Sequence, residues 1–158
     1  MKQQQEKEKH ILILGSGMMV EPLIDILLSR KENNIHIGTN AIESFKALLK
    51  KRPNAKLTGS EIDAVKQTAE LEKLVSNSDI VISYLPPILH EYPARACLKM
   101  KKNMVTTSYI SPFLKSKATE AKDKGIIFMN EIGLDPGIDH LITHKVINEC
   151  ARKGQKIV

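Results

Sequence analysis

The chain has 158 residues, of which 42% are hydrophobic and 27% are charged, a composition typical of a globular protein with one domain and a buried core. Its net charge of +6 comes from lysines spread over several predicted helices, a distribution typical of a solvated surface. It has no tryptophan, three tyrosines and three phenylalanines, too few aromatic rings to predict base stacking. We therefore expect no nucleic acid partner.

The cysteines and the first residues bear on the cellular location. Cys97 and Cys150 fall on predicted helices without metal-ligand spacing, which is typical of a reduced, intracellular protein. No apolar run approaches the ~20 residues that a membrane span needs, so no membrane contact is expected. Residues 1–9 are polar and of mixed charge, and they predict a flexible arm rather than a secretory signal or a mitochondrial presequence. We expect a cytoplasmic protein.

Apolar runs alternate along the chain with stretches of helical periodicity. The predicted strands comprise residues 11–14, 35–38, 56–59, 79–83, 104–107 and 126–129. The predicted helices comprise residues 18–30, 41–51, 66–76, 89–101, 113–124 and 138–152. This alternation predicts a Rossmann-like α/β fold, in which a doubly wound parallel sheet of about six strands, in the order 3-2-1-4-5-6, lies between two layers of helices. We place this domain at residues 10–153.

A glycine pair follows the first predicted strand and opens a helix, as a dinucleotide-binding turn requires. The first glycine permits a tight turn, and the second lets the backbone approach a pyrophosphate at the helix N-terminus. Val20 stands where a third glycine would allow closer helix packing. The alternative is a glycine turn that serves packing alone. The predicted cofactor-binding residues of this turn are Gly15, Ser16, Gly17, Met18 and Met19.

The end of the second predicted strand bears on cofactor choice. An acid there binds the ribose hydroxyl of NAD, whereas an arginine accommodates the phosphate of NADP. Thr39 and Asn40 occupy this position, and neither is charged. We expect NAD or NADP, with a slight preference for NAD because the tip has no arginine.

Polar residues also follow the later strands, at the edge of the sheet where ligands bind. The fourth strand leads into a proline-rich turn at residues 84–87, and the fifth into a hydroxyl-rich turn at 106–109. Residues 125–129 (GIIFM) predict a short buried strand, which leads into NEIGLDPGIDH at 130–140. Together these turns predict a binding crevice.

Three ordered motifs resemble the saccharopine dehydrogenase family, in its glutamate-forming branch. They are SYLPP at 83–87, MVTTSYISP at 104–112 and MNEIGLDPGIDH at 129–140, and the similarity extends from residue 11 to about residue 156. The same domain occurs in proteins of the alpha-aminoadipic semialdehyde synthase type. The resemblance implies an oxidoreductase that uses NAD or NADP to oxidise saccharopine to glutamate and 2-aminoadipate 6-semialdehyde, in lysine metabolism. It also implies a dinucleotide-binding domain followed by a separate substrate domain, with residues 154–158 as the start of the link to it. By family analogy, the alternative location is the mitochondrial matrix, as part of a longer imported polypeptide.

The resemblance assigns roles to individual positions. It places Leu85 and Pro86 beside the cofactor, with Thr107 at the border of the nicotinamide cleft. It assigns no certain catalytic residue. The implied loop under the nicotinamide comprises Leu134, Asp135, Pro136 and Gly137, and the candidate substrate-cleft residues are Ser108, Tyr109 and Asp135.

Two positions depart from the family pattern. Pro87 replaces an aromatic residue, commonly tyrosine, so that a phenol is lost from the cleft. Asn40 falls where fungal NADP-type members carry arginine, which favours the animal, NAD-using type.

The motifs stop short of the substrate domain that the resemblance implies, so we expect little or no turnover by this chain alone. Its expected partners are the dinucleotide, saccharopine once a substrate domain is supplied, and a homo- or hetero-oligomer that covers the open domain face. One alternative is a non-catalytic nucleotide-binding scaffold or regulatory subunit. Another is a basic module associated with nucleic acid through its lysines.

Several reactive side chains have ordinary structural interpretations. His140 and His144 have metal-ligand spacing on the last helix but no third ligand beside them, so no metal site is expected. Glu131 either orients substrate or bonds the amides of the turn. Helix capping is the competing role for Ser111 and Asp139, and packing or surface positions are expected for His90 and Cys97.

Overall fold

The apolar runs form a parallel sheet of six strands. The computed structural model describes residues 7–53 and 55–156. The strands are β1 (Lys9–Leu14), β2 (Asn33–Thr39), β3 (Leu57–Glu61), β4 (Ile80–Ser83), β5 (Asn103–Thr106) and β6 (Phe128–Met129). Their spatial order is β3-β2-β1-β4-β5-β6, and every neighbouring pair is parallel. The predicted strand order is therefore confirmed.

Helices connect the strands. They are α1 (Val20–Leu28), α2 (Ile42–Lys50), α3 (Thr68–Ser76), α4 (Glu91–Met100), α5 (Pro112–Ser116), α6 (Ala118–Asp123) and α7 (Ile138–Arg152), with a 3-10 turn at Pro87–Leu89. The prediction of one helix over residues 113–124 is wrong, because the backbone at Lys117 ends α5 and starts α6. The Ser116 hydroxyl donates to the carbonyl of Phe113, a local bond that competes with a continuing helix.

The central strand β1 is buried on both faces of the sheet. Ile11 and Ile13 pack with α1 and α2 on one face, whereas Leu12 and Leu14 pack with α3 and α4 on the other. Successive side chains of a strand point to opposite faces, so a strand covered on both sides has to be apolar throughout. This burial explains why ILIL is continuous rather than alternating.

The β6 end of the sheet is open, in contrast to β1. Strand β6 pairs through two residues, and Ile127 just before it and Met129 within it are 60% and 50% exposed. The prediction of a buried strand at 125–129 is therefore confirmed only for Ile126, which is buried, and for Phe128, which packs against the core. Helix α7 has no buried residue. Its exposed apolar side chains, here called the α7 face, are Ile138, Leu141, Ile142, Val146 and Ile147.

The predicted boundaries of the domain remain predictions. Residues 1–6 of the expected arm and residues 157–158 of the expected link lie outside the described residues. Lys9, placed in the arm, already pairs with Asn33 in the sheet. In the part of the chain that the structure describes, no helix is long and apolar enough to cross a membrane.

Truncation of a buried isoleucine tests the core. Ile13 is 0% exposed, so Ile13→Ala should lower the free energy of unfolding by about 2–5 kcal/mol, because it removes buried methyl groups and leaves a cavity. The matched control is Ile26→Ala on the outer side of α1, where Ile26 is 67% exposed and the expected change is within about 0.5 kcal/mol. Urea denaturation measures both, and equal losses would contradict this packing.

Candidate functional site

The turn between β1 and α1 requires glycine at its first position. Gly15 has a φ of +104°, and its amide donates to the carbonyl of Gly38 at 2.8 Å. A Cβ atom at Gly15 would lie 3.1 Å from the carbonyl oxygen of Tyr84, so a side chain there is both strained and crowded. At Gly17, by contrast, a Cβ atom would meet nothing within 4 Å. The turn is therefore fixed at its start and open at its tip.

The side chain of Ser16 ties this turn to the neighbouring strand. Its buried hydroxyl lies 2.8 Å from the Thr39 hydroxyl and donates to the carbonyl of Ala41 at 3.3 Å. The Thr39 oxygen also accepts from the Ala41 amide at 3.0 Å. The backbone amides of Ser16 and Gly17 find no acceptor within the described residues. The available donors at this turn are thus backbone N–H groups, the kind of group that binds phosphate.

The other residues predicted to bind the cofactor after β1 and β2 lie on the rim. Met18 and Met19, at the start of the α1 segment, are largely exposed, and so is Asn40 at the tip of β2. Thr39 is buried and already hydrogen-bonded. The structure therefore brings the residues predicted after β1 and β2 to one edge of the sheet. The hydrogen bond between Ser16 and Thr39 connects the two segments.

Strand β4 ends in a second turn, beside the first. Leu85 is partly buried, whereas Pro86 is exposed. Pro87 is also exposed and opens the 3-10 turn. Tyr84 connects the two turns, because its amide donates to the Leu14 carbonyl at 2.8 Å and its own carbonyl packs over Gly15. The proline-rich turn therefore lies next to the glycine turn, as the sequence predicts.

His90 has a role that the sequence interpretation missed. It is 1% exposed, and its Nδ1 lies 2.8 Å from the Ser83 hydroxyl. Its Nε2 lies 2.8 Å from the Ser108 hydroxyl and 3.0 Å from that of Thr106. Burial lowers the pKa of His90, which favours the neutral ring. The signal available in the sequence was a histidine at a helix start together with hydroxyl residues ending the fourth and fifth strands.

Two of the three candidate substrate-cleft residues are in direct contact. The Tyr109 hydroxyl donates to Asp135 Oδ1 at 2.9 Å. That hydrogen bond raises the pKa of Tyr109, and burial and the nearby carboxylates act in the same direction. The third, Ser108, precedes Tyr109 and bonds His90.

Backbone contacts join the two loops that carry these residues. The Glu131 amide donates to the Ser108 carbonyl at 3.1 Å, and the Glu131 carboxylate accepts from the Ile110 amide at 3.1 Å. Of the two roles expected for Glu131, the structure shows the hydrogen bond to a backbone amide of the turn. Thr107 lies against Gly133, where an added Cβ would be 3.2 Å from the threonine Cβ. The turn after β5 and the loop after β6 therefore form one surface.

The loop after β6 is a closed unit of its own. The Gly133 amide donates to the Pro136 carbonyl and the Ile138 amide to the Gly133 carbonyl, both at 3.0 Å. Pro136 is buried, whereas Leu134 and Asp135 point outward. Gly137 has a φ of +148°, and a Cβ there would overlap the backbone of Gly133. This glycine is thus required by the close approach of two backbone segments.

The capping expectations have different outcomes. Ser111 caps α5, because its hydroxyl accepts from the Leu114 amide at 3.2 Å. The expectation that Asp139 caps α7 is wrong, because Gly137 is the N-cap residue. Asp139 lies in the first turn, and its Oδ1 accepts from the Gly137 amide at 2.8 Å, which fixes the loop instead.

The remaining reactive side chains that the sequence indicates are histidines of α7 and a cysteine of α4. Among the described residues, no cluster of three His, Cys, Asp or Glu side chains is placed to hold a metal ion. His140 lies 3.6 Å from Asp139. Cys97 is buried in the core, where desolvation raises the pKa of its thiol to about 12, so it packs as a small hydrophobic residue.

Comparison with known proteins identifies the family. The family model described as "Saccharopine dehydrogenase NADP binding domain" matches residues 11–129. This range includes all six strands apart from the first two residues of β1. The chain belongs to this family. It is an NADP-binding domain of the saccharopine dehydrogenase type, and the sequence resemblance is confirmed.

Two curated relatives are longer than this chain. Saccharopine dehydrogenase [NADP(+), L-glutamate-forming] of Saccharomyces cerevisiae is 38% identical over 151 residues, which cover 94% of this chain and 32% of the relative. The mitochondrial alpha-aminoadipic semialdehyde synthase of Bos taurus is 37% identical over 150 residues, which cover 95% of this chain and 16% of the relative. The chain thus spans about a third of the yeast relative and about a sixth of the bovine one.

Solved structures agree with the fold. Apo saccharopine dehydrogenase (L-Glu forming) from Saccharomyces cerevisiae superposes with a TM-score of 0.82 at 36% identity, over 92% of this chain and 32% of that one. Shikimate dehydrogenase of Mycobacterium tuberculosis, with a TM-score of 0.59 at 16% identity, shares the fold. The predicted preference for NAD finds no support, because the matched family is described as NADP-binding. The absence of an arginine at position 40 was too weak a basis for predicting NAD.

The pKa of Tyr109 tests the contact at the cleft. Asp135→Asn should lower that pKa toward the ordinary value of tyrosine, because the carboxylate that stabilises the protonated phenol is lost. Absorbance at 295 nm against pH measures the change, with Tyr109→Phe identifying the signal among the three tyrosines. The matched control is Asp123→Asn at the end of α6, which should leave the titration unchanged. An unchanged pKa in Asp135→Asn would contradict the contact.

Proposed function

We propose that this chain binds NADP(H) and forms the dinucleotide-binding part of an oxidoreductase that converts saccharopine to glutamate and 2-aminoadipate 6-semialdehyde. The observation that carries the proposal is the glycine turn at the carboxyl end of β1, whose tip has free amides and open space at Gly17. The bound NADP⁺ supplies the hydride acceptor. The family and the name of the yeast relative support this reaction.

The glycine turn fits the pyrophosphate. The amides of Ser16 and Gly17 lie just before α1, where backbone donors and the helix dipole favour an anion. Lack of a side chain at Gly17 leaves the backbone accessible to the phosphate oxygens. In this proposal Met18 and Met19 border the same phosphate group, and the hydroxyl of Ser16 holds the turn rather than the ligand.

The tip of β2 is compatible with the additional phosphate of NADP. An Asp or Glu at this place would repel that phosphate, and the chain carries uncharged Asn40 there. Asn40 is exposed, and its side-chain amide has N–H groups available to a phosphate or to a ribose hydroxyl. This geometry and the family description favour NADP over NAD.

The nicotinamide end falls at β4, β5 and β6. Leu85 and Pro86 form one wall of the site, Thr107 borders it, and Leu134 with Pro136 belongs to the loop beneath the ring. Tyr109 and Asp135 face solvent as a hydrogen-bonded pair, and this phenol and carboxylate are the groups that we expect beside an amine substrate. In the proposed role they bind and orient saccharopine, because a carboxylate attracts a protonated amine.

Turnover requires a substrate-binding part beyond these residues. Hydride transfer depends on the substrate C–H bond being held against the nicotinamide, and positioning accounts for much of the rate. The yeast relative is about three times as long as the matched segment. We propose that the substrate-binding part packs on the α7 face, which exposes five apolar side chains on the helix that follows the cleft loop.

The α7 face also favours a second candidate function. An exposed apolar helix suits a nucleotide-binding scaffold subunit that docks on a larger assembly without catalysing a reaction. Both candidates require dinucleotide binding, and turnover distinguishes them.

A side chain at Gly17 tests the phosphate site. Gly17→Val should weaken NADPH binding by at least about tenfold, because the branched side chain occupies the approach to the backbone amides. The melting temperature should stay within about 2 °C, since the added atoms meet no neighbour. Isothermal titration calorimetry and thermal unfolding measure the two effects.

A second glycine substitution serves as the contrast. Gly15→Ala should lower the free energy of unfolding by about 1–3 kcal/mol, because alanine is strained at a positive φ and crowds Tyr84. Unchanged NADPH affinity in Gly17→Val would refute the phosphate site, and so would absence of NADPH binding by the unmodified chain.

Catalysis is tested by supplying the substrate part. The chain, put in place of the segment that it matches in the yeast relative, should reduce NADP⁺ in the presence of saccharopine, measured at 340 nm. The chain alone should be slower by at least about 100-fold, because nothing positions the substrate. A folded chimera that binds NADPH but leaves saccharopine unchanged would favour the scaffold role.

A further inference from the structure

A buried cluster of one imidazole and three hydroxyl groups lies behind the nicotinamide end of the site. His90 bonds Ser83 on β4, Thr106 on β5 and Ser108 in the turn after β5, at 2.8, 3.0 and 2.8 Å. His90, Ser83 and Thr106 are each at most 1% exposed. The phosphate turn and the Tyr109–Asp135 pair make no use of this cluster.

The cluster fixes Ser108 from behind. The Ser108 hydroxyl bonds His90, and the Ser108 amide donates to the Thr106 hydroxyl at 3.2 Å. The Ser108 carbonyl accepts from Glu131, which connects it to the loop after β6. Ser108 is thus held through its side chain, its amide and its carbonyl, and the next residue is Tyr109. The position of the cleft turn therefore depends on the buried ring.

A neutral imidazole suits this position better than an apolar residue. It has one donor and one acceptor nitrogen, and the surrounding hydroxyls both donate and accept. Without the ring, the buried Ser83 hydroxyl would be unpaired and the buried Thr106 hydroxyl would keep only the Ser108 amide, a loss that is costly enough to make the turn rearrange. Packing alone would be served as well by leucine.

We infer that His90 is a positioning residue, whose hydrogen bonds hold the turn at residues 106–109 in the conformation that receives the nicotinamide end of the dinucleotide. This inference rests on the proposed function, since it assumes that NADP(H) binds at this edge. The adenosine end lies on β1 and β2, to which His90 makes no hydrogen bond within the described residues. Loss of the ring should therefore weaken binding of the nicotinamide end of the ligand and leave binding of the adenosine end unchanged.

Two ligands and two variants test the inference in the full chain. His90→Leu removes the hydrogen bonds at similar volume and should weaken NADPH binding by about tenfold, the equivalent of losing a buried network bond. Binding of 2′,5′-ADP, which contains only the adenosine end, should stay within about twofold. His90→Gln keeps a donor and an acceptor and should restore NADPH affinity to within about threefold of the unmodified chain.

A third variant keeps the inference testable if His90→Leu does not fold. Ser83→Ala breaks the Nδ1 hydrogen bond at a fully buried site that no ligand reaches, and it should weaken NADPH binding by about threefold without affecting 2′,5′-ADP. Circular dichroism and thermal unfolding check that each variant is folded.

The outcomes separate the inference from the proposed function. Folded variants that bind NADPH as tightly as the unmodified chain would overturn the positioning role, and so would equal losses for NADPH and 2′,5′-ADP. Failure of Gln to restore affinity would also count against it. If the unmodified chain binds neither ligand, the proposed function itself fails.

Discussion

The carboxyl ends of six parallel strands lie along one edge of the sheet, and the candidate site depends on this constraint. Because all the strands are parallel, every connection returns the chain to the amino ends of the strands. The turn that follows each strand therefore lies at the carboxyl edge of the sheet. Turns that are far apart in the sequence thereby become neighbours, as the packing of Tyr84 over Gly15 shows. The continuous apolar strands serve the core, and the polar residues after them serve the ligand.

Hydrogen bonds between neighbouring turns then make the edge rigid. The Ser16–Thr39 pair joins the first two strands, the His90 cluster joins β4 to β5, and Glu131 joins the turn after β5 to the loop after β6. Most of these groups are buried, where an unpaired donor or acceptor is costly. Such support keeps the amides and side chains that face the ligand in place before it binds.

One side of the domain is organised differently. Strand β6 is a two-residue edge strand, and α7 exposes its whole apolar face. A domain with its core complete on the β1 side and open at β6 is suited to receive another structural unit there. The proposed substrate-binding part occupies this side, directly beside Tyr109 and Asp135.

The sequence by itself determined the strand order, most element positions, the glycine turn and the family, because periodicity and contiguous motifs are local properties. It also placed Ser111 correctly as a cap. Only the tertiary structure decided the division at Lys117, the exposure of Ile127 and the role of His90. Burial and hydrogen bonding depend on residues distant in the chain, so a histidine at a helix start becomes a buried bridge only when β4 and β5 bring their hydroxyl groups beside it.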